Sequence, residues 1–294
     1  MASMMDETGA DSYLGQHKGK RFVVKLGGEV MLNAAGLRAL SADIATLARS
    51  GVGVVIVHGG GPQADALAAK LGHRVRKVAG RRVTDDDALE VAKMVYGGSI
   101  NLELLAALRA AGAQGVGLSG VDATLITATR RMPVVVRDQH TGTDEMVDFG
   151  HVGDIAAVDV SLVDLLLGAG YVPVVASLAA DDEGNLYNVN ADTVAQALAV
   201  ALHADRLYLL TNVPGILLDP TDPGSLLPIC TREQAERLIR QGVISGGMLP
   251  KVLNCLQALA DGVRQVQILD GTQERSLLLE SLAPNAEVGT LLVE

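Results

Sequence analysis

The chain has few aromatic residues and few cysteines. Among its 294 residues there is no tryptophan and only 2% are aromatic, whereas 49% are apolar, so Val, Leu, Ile and Ala must build the core. This composition favours parallel strands covered by Ala- and Leu-rich helices. The two cysteines, Cys230 and Cys255, lack the spacing of zinc ligands, and we interpret both as reduced, buried, small side chains.

An excess of positive charge and a long apolar run are also missing. The formal net charge is −10 and the isoelectric point is about 5.1, whereas a protein that wraps nucleic acid needs a dense basic surface. No apolar stretch reaches the roughly twenty residues that span a bilayer, and residues 1–16 lack the apolar segment of a signal peptide. We therefore predict a cytoplasmic protein that binds neither nucleic acid nor membrane.

Strand and helix patterns alternate along the chain. Predicted strands lie near residues 22–26, 52–57, 114–118, 171–176, 206–210 and 265–269. Predicted helices lie near residues 37–50, 62–71, 85–94, 100–111, 161–169, 191–202, 232–240 and 248–260, the third of them capped by Thr84. Residues 124–149 are β-branched and rich in turns, with Thr141-Gly142 at one turn, which predicts hairpins forming a flap. The pattern predicts a three-layer α/β fold with a mainly parallel sheet and binding loops at the carboxyl ends of its strands.

Two lysines stand out because arginine supplies most of the positive charge elsewhere. Lys251 is the only lysine after Lys93, and it follows two glycines and a proline at the start of a helical pattern. Lys25 ends a predicted strand and precedes Gly27 and Gly28, whose backbone allows close approach to an anion. This combination indicates phosphate chemistry.

A second glycine loop strengthens that interpretation. His58 is followed by Gly59, Gly60 and Gly61 and then by Pro62, which opens a helix whose positive N-terminus also suits an anion. Neither a Walker loop nor a dinucleotide-binding glycine motif is present at the required spacing, and residues 117–120 do not form a nucleophile elbow. His58, His140 and His151 form no helical metal pair, and His58 is interpreted as structural.

Two further positions carry charge beside predicted helices. Arg82 is a candidate anchor for an acidic substrate, because a guanidinium can grip a carboxylate through two hydrogen bonds. An equally good interpretation pairs Arg81 and Arg82 with the acidic residues 85–87. Asn190 could cap the next helix, and Asp192 could favour its dipole or orient two lysines around a transferring phosphoryl group.

As an ordered set, these motifs resemble the acetylglutamate kinase family of the amino acid kinase superfamily from about residue 21 onward. The matching motifs are Lys25-Leu26-Gly27-Gly28, His58-Gly59-Gly60-Gly61-Pro62-Gln63, Gly80-Arg81-Arg82-Val83-Thr84, Phe149-Gly150-His151-Val152-Gly153-Asp154, Asn188-Val189-Asn190-Ala191-Asp192 and Gly246-Gly247-Met248-Leu249-Pro250-Lys251-Val252. The resemblance implies ATP-dependent phosphorylation of the side-chain carboxylate of N-acetyl-L-glutamate in arginine biosynthesis.

The resemblance also implies an open eight-stranded sheet, the amino acid kinase fold, a homodimer or hexamer, and Mg²⁺ arriving with ATP rather than in a protein-only metal site. Residues 21–203 would form the amino-acid and dimerisation lobe and residues 204–294 the nucleotide lobe, preceded by an extension, residues 1–20, in which Tyr13-Leu14 could dock a short helix. The implied catalytic residues are Lys25, Lys251 and Asp192. The implied substrate-binding residues are Gly60, Gly61, Arg82 and Asn188. The implied nucleotide-binding residues are Gly27, Gly28, Asn212, Val213, Gly215 and Lys251.

The chain departs from the family pattern at two places. The family usually has Asp where this chain has Asn212, and arginine-inhibited members resemble it at Glu280 and Gly289-Thr290 but have His where it has Gln267. Arginine control is therefore only a hypothesis. Two alternative functions remain, a kinase of carrier-protein-linked aminoadipate, with which Asn212 is compatible, and a non-catalytic amino-acid sensor on the same scaffold.

Overall fold

The computed structural model describes residues 15–137, 144–282 and 288–294. Its strands are β1 (Arg21–Leu26), β2 (Gly53–His58), β3 (Lys77–Val78), β4 (Arg81–Arg82), β5 (Gly115–Ser119), β6 (Ile126–Arg130), β7 (Val134–Arg137), β8 (Asp144–Val147), β9 (Gly153–Val158), β10 (Val172–Ala176), β11 (Leu178–Ala180), β12 (Leu186–Asn188), β13 (Arg206–Thr211), β14 (Ile229–Thr231), β15 (Gln265–Asp270) and β16 (Gly289–Val293). Its α-helices are α1 (Ala34–Arg49), α2 (Gly61–Lys70), α3 (Asp86–Ala92), α4 (Asn101–Ala110), α5 (Ser161–Gly168), α6 (Ala191–Ala201), α7 (Arg232–Arg240), α8 (Met248–Ala260) and α9 (Ser276–Leu282). The predictions for Tyr13-Leu14, His140 and Thr141-Gly142 lie outside the described residues.

Eight of the described strands form one large sheet in the order β14-β16-β15-β13-β1-β2-β10-β5. The six strands from β15 to β5 run parallel to one another, whereas β16 is antiparallel to β15 and β14 is parallel to β16. An open, mainly parallel, eight-stranded sheet is therefore confirmed. Because β1 pairs with β13, the sheet is continuous across residues 203 and 204, and the division into two lobes stays a prediction.

Helices cover both faces of this sheet. Side chains alternate along β1, so Phe22 and Val24 enter one apolar core while Val23 enters the other. The first core also contains apolar residues of α1, α4 and α9, and the second contains those of α6, α7 and α8. The predicted three-layer αβα arrangement is thus confirmed.

A smaller set of strands lies beside the main sheet. Strands β12, β11, β6 and β9 form a four-stranded sheet, and β7 pairs antiparallel with β8 as the flap prediction requires. The short hairpin β3–β4 packs against this region through one apolar cluster. The cluster consists of Val147, Phe149 and Val152, with Val78, Val83 and Val136 partly buried against it.

The region around α3 differs from the sequence prediction in one detail. Asp85, not Thr84, caps α3, because its side chain accepts a hydrogen bond from the Ala88 N–H. Thr84 is buried and its hydroxyl instead accepts a hydrogen bond from Asn188. Beyond α3 the chain forms a π-helical segment, Lys93–Ile100, which continues into α4.

One helical run is apolar enough to cross a membrane by length and composition. It comprises the 25 residues Asp86–Ala110, and 44% of its apolar window is buried inside the molecule. Its last part, α4, packs against α1, β5 and β10 of the main sheet. This packing is that of a core helix in a folded domain.

Candidate active site

Two lysines from distant parts of the chain meet on one carboxylate. Lys25 Nζ lies 2.8 Å from Oδ1 of Asp192, and Lys251 Nζ lies 3.3 Å from Oδ2 of the same side chain. The side chains of Lys25 and Asp192 are 9% and 13% exposed, so the pair is largely shielded from water, while Lys251 is more open at 23%. The structure thus brings together all three predicted catalytic residues.

Regular secondary structure places these three groups. The alternation along β1 puts Lys25 on the same face as Val23, against which α6 packs. The side chain of Asn190 caps α6 by accepting hydrogen bonds from the N–H groups of Asp192 and Thr193, which fixes Asp192 in the first turn. Helix α8 packs on α6 and carries Lys251 in its own first turns.

Burial and charge compete at this cluster. Burial is the main cause that lowers the pKa of Lys25, while Asp192 opposes it and Lys251 adds to it. Burial alone would raise the pKa of Asp192, but the two ammonium groups together hold that pKa below its ordinary value. Asp192 is therefore a carboxylate at neutral pH. Its negative charge holds the ammonium groups of Lys25 and Lys251 at the carboxyl end of β1.

The two glycine loops pack against each other beside Lys25. A Cβ on Gly28 would come within 2.6 Å of Pro62 Cδ, and Gln63 donates a hydrogen bond of 2.8 Å to the Gly28 carbonyl. At Gly60 a Cβ would lie 2.2 Å from Ile100 Cδ1. Glycine is required at both positions because another part of the protein occupies the space of a side chain.

Arg82 is held rigidly at the mouth of the second glycine loop. Its Nη2 donates to the Gly61 carbonyl at 2.9 Å and to Oδ1 of Asp65 at 2.5 Å, while Lys77 Nζ contacts the other oxygen of Asp65 at 2.8 Å. The Arg82 side chain is 9% exposed, and its Nε and Nη1 groups donate to none of the described residues. Nη2 is thus engaged, and Nε and Nη1 remain as single donors for an anion; no hydrogen bond joins Arg82 to residues 85–87.

Most of these groups line one cleft of about 1270 Å³. Its lining includes the predicted residues Lys25, Gly28, Gly60, Gly61, Arg82, Asn188 and Asp192. Asn188 lies at the end of β12, where its side chain donates to the Thr84 hydroxyl at 3.2 Å. The cleft is large enough for two small molecules side by side.

Other predicted nucleotide residues lie elsewhere at the same sheet edge. Within the described ranges, the cleft lining does not include Lys251, Gly27, Asn212, Val213 or Gly215, although it includes Leu249 and Pro250 just before Lys251. Gly27 donates its N–H to the Leu210 carbonyl at 2.9 Å, and Asn212 donates to the carboxylate of Glu29. A Cβ on Gly215 would meet Thr290 Oγ1 at 2.5 Å. Their assignment to the nucleotide stays a prediction.

Histidines and cysteines near the site have structural surroundings. Burial lowers the pKa of His58 to about 4, and its Nδ1 contacts the Gly59 carbonyl at 2.9 Å, which agrees with a structural role. Cys230 and Cys255 are free, buried thiols. On strand β15, Gln267 donates to the buried carboxylate of Glu280 on α9.

The structure adds two cleft residues, Tyr96 and Arg131, and one residue outside the lining, Asp65, that the sequence patterns did not reveal. Asp65 sits on α2 and orients Arg82, Tyr96 lies in the π-helical segment, and Arg131 follows β6, where it forms a bidentate pair with Asp154. The nearest sequence signal was Asp65, placed one helical turn beyond Gly61 and therefore on the side of the glycine loop.

Relatives of the chain share most of its length. Residues 20–270 match the model of the amino acid kinase family. An acetylglutamate kinase from Sorangium cellulosum is 46% identical over 272 residues, which cover 92% of this chain and 94% of that protein. An acetylglutamate kinase from Methanothermobacter thermautotrophicus is 39% identical over 282 residues, 96% of either protein.

A solved structure agrees with these sequence relatives. The N-acetylglutamate synthase from Neisseria gonorrhoeae, complexed with coenzyme A and N-acetyl-glutamate, superimposes with a TM-score of 0.81 at 28% identity. The match covers 98% of this chain, which spans 62% of the synthase. Together with the fold and the lysine cluster, these similarities show that the chain belongs to the amino acid kinase family and, within it, to the acetylglutamate kinases.

Proposed function

We propose that the protein transfers the terminal phosphoryl group of ATP to the side-chain carboxylate of N-acetyl-L-glutamate. The observation that carries this proposal is the pair of lysines meeting on Asp192, a residue of the cleft that Lys25 and Arg82 also line. The names of the relatives supply the substrate and the donor class. The product is an acyl phosphate, which serves arginine biosynthesis.

In the proposed step, an oxygen of the substrate carboxylate attacks the γ-phosphorus and forms the new P–O bond. The bond from that phosphorus to the β–γ bridging oxygen breaks, and its electron pair leaves with ADP. No protein nucleophile is needed, because catalysis consists of positioning and charge stabilisation. Lys25 and Lys251 would neutralise the oxygens of the transferring group, and Asp192 would hold the two ammonium groups in place.

The other residues are proposed to fix the two substrates. Arg82 would bind the α-carboxylate of the amino acid, while Asn188 and the N–H groups of Gly60 and Gly61 would hold its remaining polar atoms. Gly27 and Gly28 would approach the phosphates, and the loop carrying Asn212, Val213 and Gly215 would border the nucleotide. We assign the amino-acid site and the dimer contact to a lobe of residues 21–203 and the nucleotide site to a lobe of residues 204–294. An extension of residues 1–20 precedes both lobes.

Mg²⁺ is expected with the nucleotide. Across residues 15–137, 144–282 and 288–294, no group of three or more His, Cys, Asp or Glu side chains is placed to hold a metal ion. Asp192 already faces Lys25 and Lys251. We propose that phosphate oxygens of ATP carry Mg²⁺ into the cleft, where it would supply further charge neutralisation.

A coupled ADP-release assay with N-acetylglutamate, glutamate and aspartate side by side tests the activity. We expect turnover with N-acetylglutamate, together with an acyl phosphate that hydroxylamine traps as a hydroxamate. Turnover only on carrier-bound aminoadipate would indicate the alternative kinase, and binding without ADP release would indicate a sensor. The relatives favour neither alternative, since the proteins compared above are named acetylglutamate kinases.

We further propose a cytoplasmic homodimer, with a hexamer as the alternative assembly. Strand β5 is the edge of the main sheet, and Leu102 on the neighbouring α4 is 66% exposed. A second copy would cover both the unpaired edge and this apolar side chain. Light scattering of the native protein and of Leu102→Glu tests this, because the charge should release monomers if this face forms the contact.

A further inference from the structure

Tyr96 presents an unexplained polar group at the amino-acid end of the cleft. The residue is 4% exposed and lines the cleft together with Gly60 and Arg82. Its hydroxyl forms no hydrogen bond with any residue that the structure describes, and it is not sealed off from solvent, so it can meet a ligand in the cleft. Phenylalanine would fill the same space if packing were the whole role.

The position of the ring fixes where the hydroxyl can act. A Cβ built on Gly60 would lie 3.0 Å from both Cδ1 and Cε1 of Tyr96, so one edge of the ring packs against the glycine loop. Tyr96 belongs to the π-helical segment Lys93–Ile100, a conformation that is rare and occurs often at functional sites. The backbone therefore departs from a regular helix where it brings this side chain to the cleft.

The charged neighbours of Tyr96, Arg82 and Asp65, place its hydroxyl at the end of the cleft proposed to bind the amino acid. Burial raises the pKa of Tyr96, with a smaller opposing effect from Arg82 and a supporting one from Asp65, so the hydroxyl stays protonated and can donate. Both charges belong to the clamp in which Asp65 holds Arg82 and leaves Nε and Nη1 for a ligand. A carboxylate bound by Arg82 would have a second oxygen available to a nearby hydroxyl.

Resting on the function proposed above, we infer that Tyr96 is a specificity-determining residue whose hydroxyl donates a hydrogen bond to the α-carboxylate that Arg82 binds. The site would then recognise this carboxylate by one guanidinium N–H and one neutral donor. It would discriminate against acetylated acids that lack the α-carboxylate, because the hydroxyl would lose its charged acceptor.

The test compares Tyr96→Phe with Tyr171→Phe, the same chemical change at a tyrosine that is 37% exposed and outside the cleft lining. We expect Tyr96→Phe to raise the KM for N-acetylglutamate about ten-fold, the effect of one hydrogen bond to a charged acceptor, with the KM for ATP and the melting temperature little changed. Tyr171→Phe should match the native enzyme. An unchanged KM for N-acetylglutamate in Tyr96→Phe overturns the inference.

A second ligand identifies the group that the hydroxyl contacts. 4-Acetamidobutyrate is N-acetylglutamate without its α-carboxylate, so its inhibition constant should be equal for the native enzyme and Tyr96→Phe. A rise by the same factor as for N-acetylglutamate overturns the assignment to the α-carboxylate. Turnover by the native enzyme separates this failure from a failure of the proposed function, which would show as no turnover of N-acetylglutamate.

A further pair of variants keeps the inference testable if Tyr96→Phe folds poorly. Tyr96→Gln and Tyr96→Leu have side chains of similar size, but only Gln can donate a hydrogen bond. Titration with N-acetylglutamate should give tighter binding for Tyr96→Gln. Equal affinity of the two variants would contradict the inference.

Discussion

Lys25 and Asp192 form a buried ion pair, with Nζ and Oδ1 2.8 Å apart, at the carboxyl end of the central strand β1. Burial disfavours the charged form of each partner, so either one alone would be costly at this position. Together with Lys251 they leave a net positive cluster in a chain whose formal charge is −10. This local positive charge attracts a polyphosphate despite the negative charge of the whole chain.

Replacement of Lys251 by Ala should slow the reaction without unfolding the protein. We expect kcat to fall about 10³-fold, because one charge that stabilises the transferring phosphoryl group is lost. The coupled ADP-release assay measures kcat, and thermal melting should differ by only a few degrees, since the side chain is partly exposed. Lys70→Ala, at an exposed position at the end of α2, is the control. Full activity of Lys251→Ala would refute its assignment.

The variant Asp192→Asn should change the pH dependence of the reaction. Asp192 raises the pKa of Lys25 against the effect of burial, so its neutral replacement lets Lys25 lose its proton at lower pH. Activity that needs the ammonium form then declines at lower pH than in the native enzyme. A pH profile of kcat measures this basic limb, and an unshifted limb would exclude Lys25 as the titrating group.

The free energy of unfolding should depend on pH through Asp43. Burial raises the pKa of Asp43 to about 6, and its carboxylate accepts a hydrogen bond from the Leu278 N–H of α9. Because this folded-state pKa lies above the unfolded value near 4, the folded protein binds the extra proton and loses stability as pH rises between these values. Asp43→Asn removes this loss. We expect the free energy of unfolding of Asp43→Asn, relative to that of the native protein, to rise by about 2–3 kcal/mol between pH 4 and pH 8.

Urea unfolding at several pH values measures this difference. The native protein also contains His58, whose lowered pKa of about 4 acts in the opposite direction, since stability is then lost as pH falls below about 6.5. His58 is present in both proteins and cancels in the comparison. A difference between Asp43→Asn and the native protein that is constant with pH would contradict the assignment of a raised pKa.

Gly28→Ala should separate the two glycine loops. The new Cβ would lie 2.6 Å from Cδ of the rigid Pro62 ring, so the backbone must move. We expect a loss of about 1–3 kcal/mol in the free energy of unfolding, with reduced activity because the loop beside Lys25 shifts. Gly168→Ala, where nothing lies within 4 Å, is the control for stability and should not destabilise the protein. Equal free energies of unfolding for Gly28→Ala and the native protein would show that the two loops can move apart at little cost.

Regular periodicity made most of the fold predictable. The strands β1, β2, β10 and β13 lie within a residue of their predicted ranges because each is apolar on both faces. The three-residue strands β11, β12 and β14 and the helix α9 were not predicted, since so few residues establish no period and their pairing partners are distant along the chain. The misplaced cap at Thr84 has a similar cause, because a tertiary hydrogen bond with Asn188 engages its hydroxyl.

Candidate site residues were predictable where their residue type was unusual. Two glycine loops and an isolated lysine are visible in the sequence, and so is Asp192 behind a capping Asn190. Asp65 and Tyr96 were missed, because an acidic or aromatic residue inside a helix has no distinctive local pattern. Their roles depend on contacts with Arg82 and Gly60 that no spacing encodes.

The sequence by itself determined the layered α/β architecture and the chemical character of the loops, because hydrophobic period, glycine and proline act through the local backbone. Only the tertiary structure decided that Lys25 and Lys251 meet on Asp192 and that Asp65 holds Arg82 beside the second glycine loop. These contacts exist because each helix covers a particular face of the sheet. The packing of side chains that are far apart in the sequence determines which face that is.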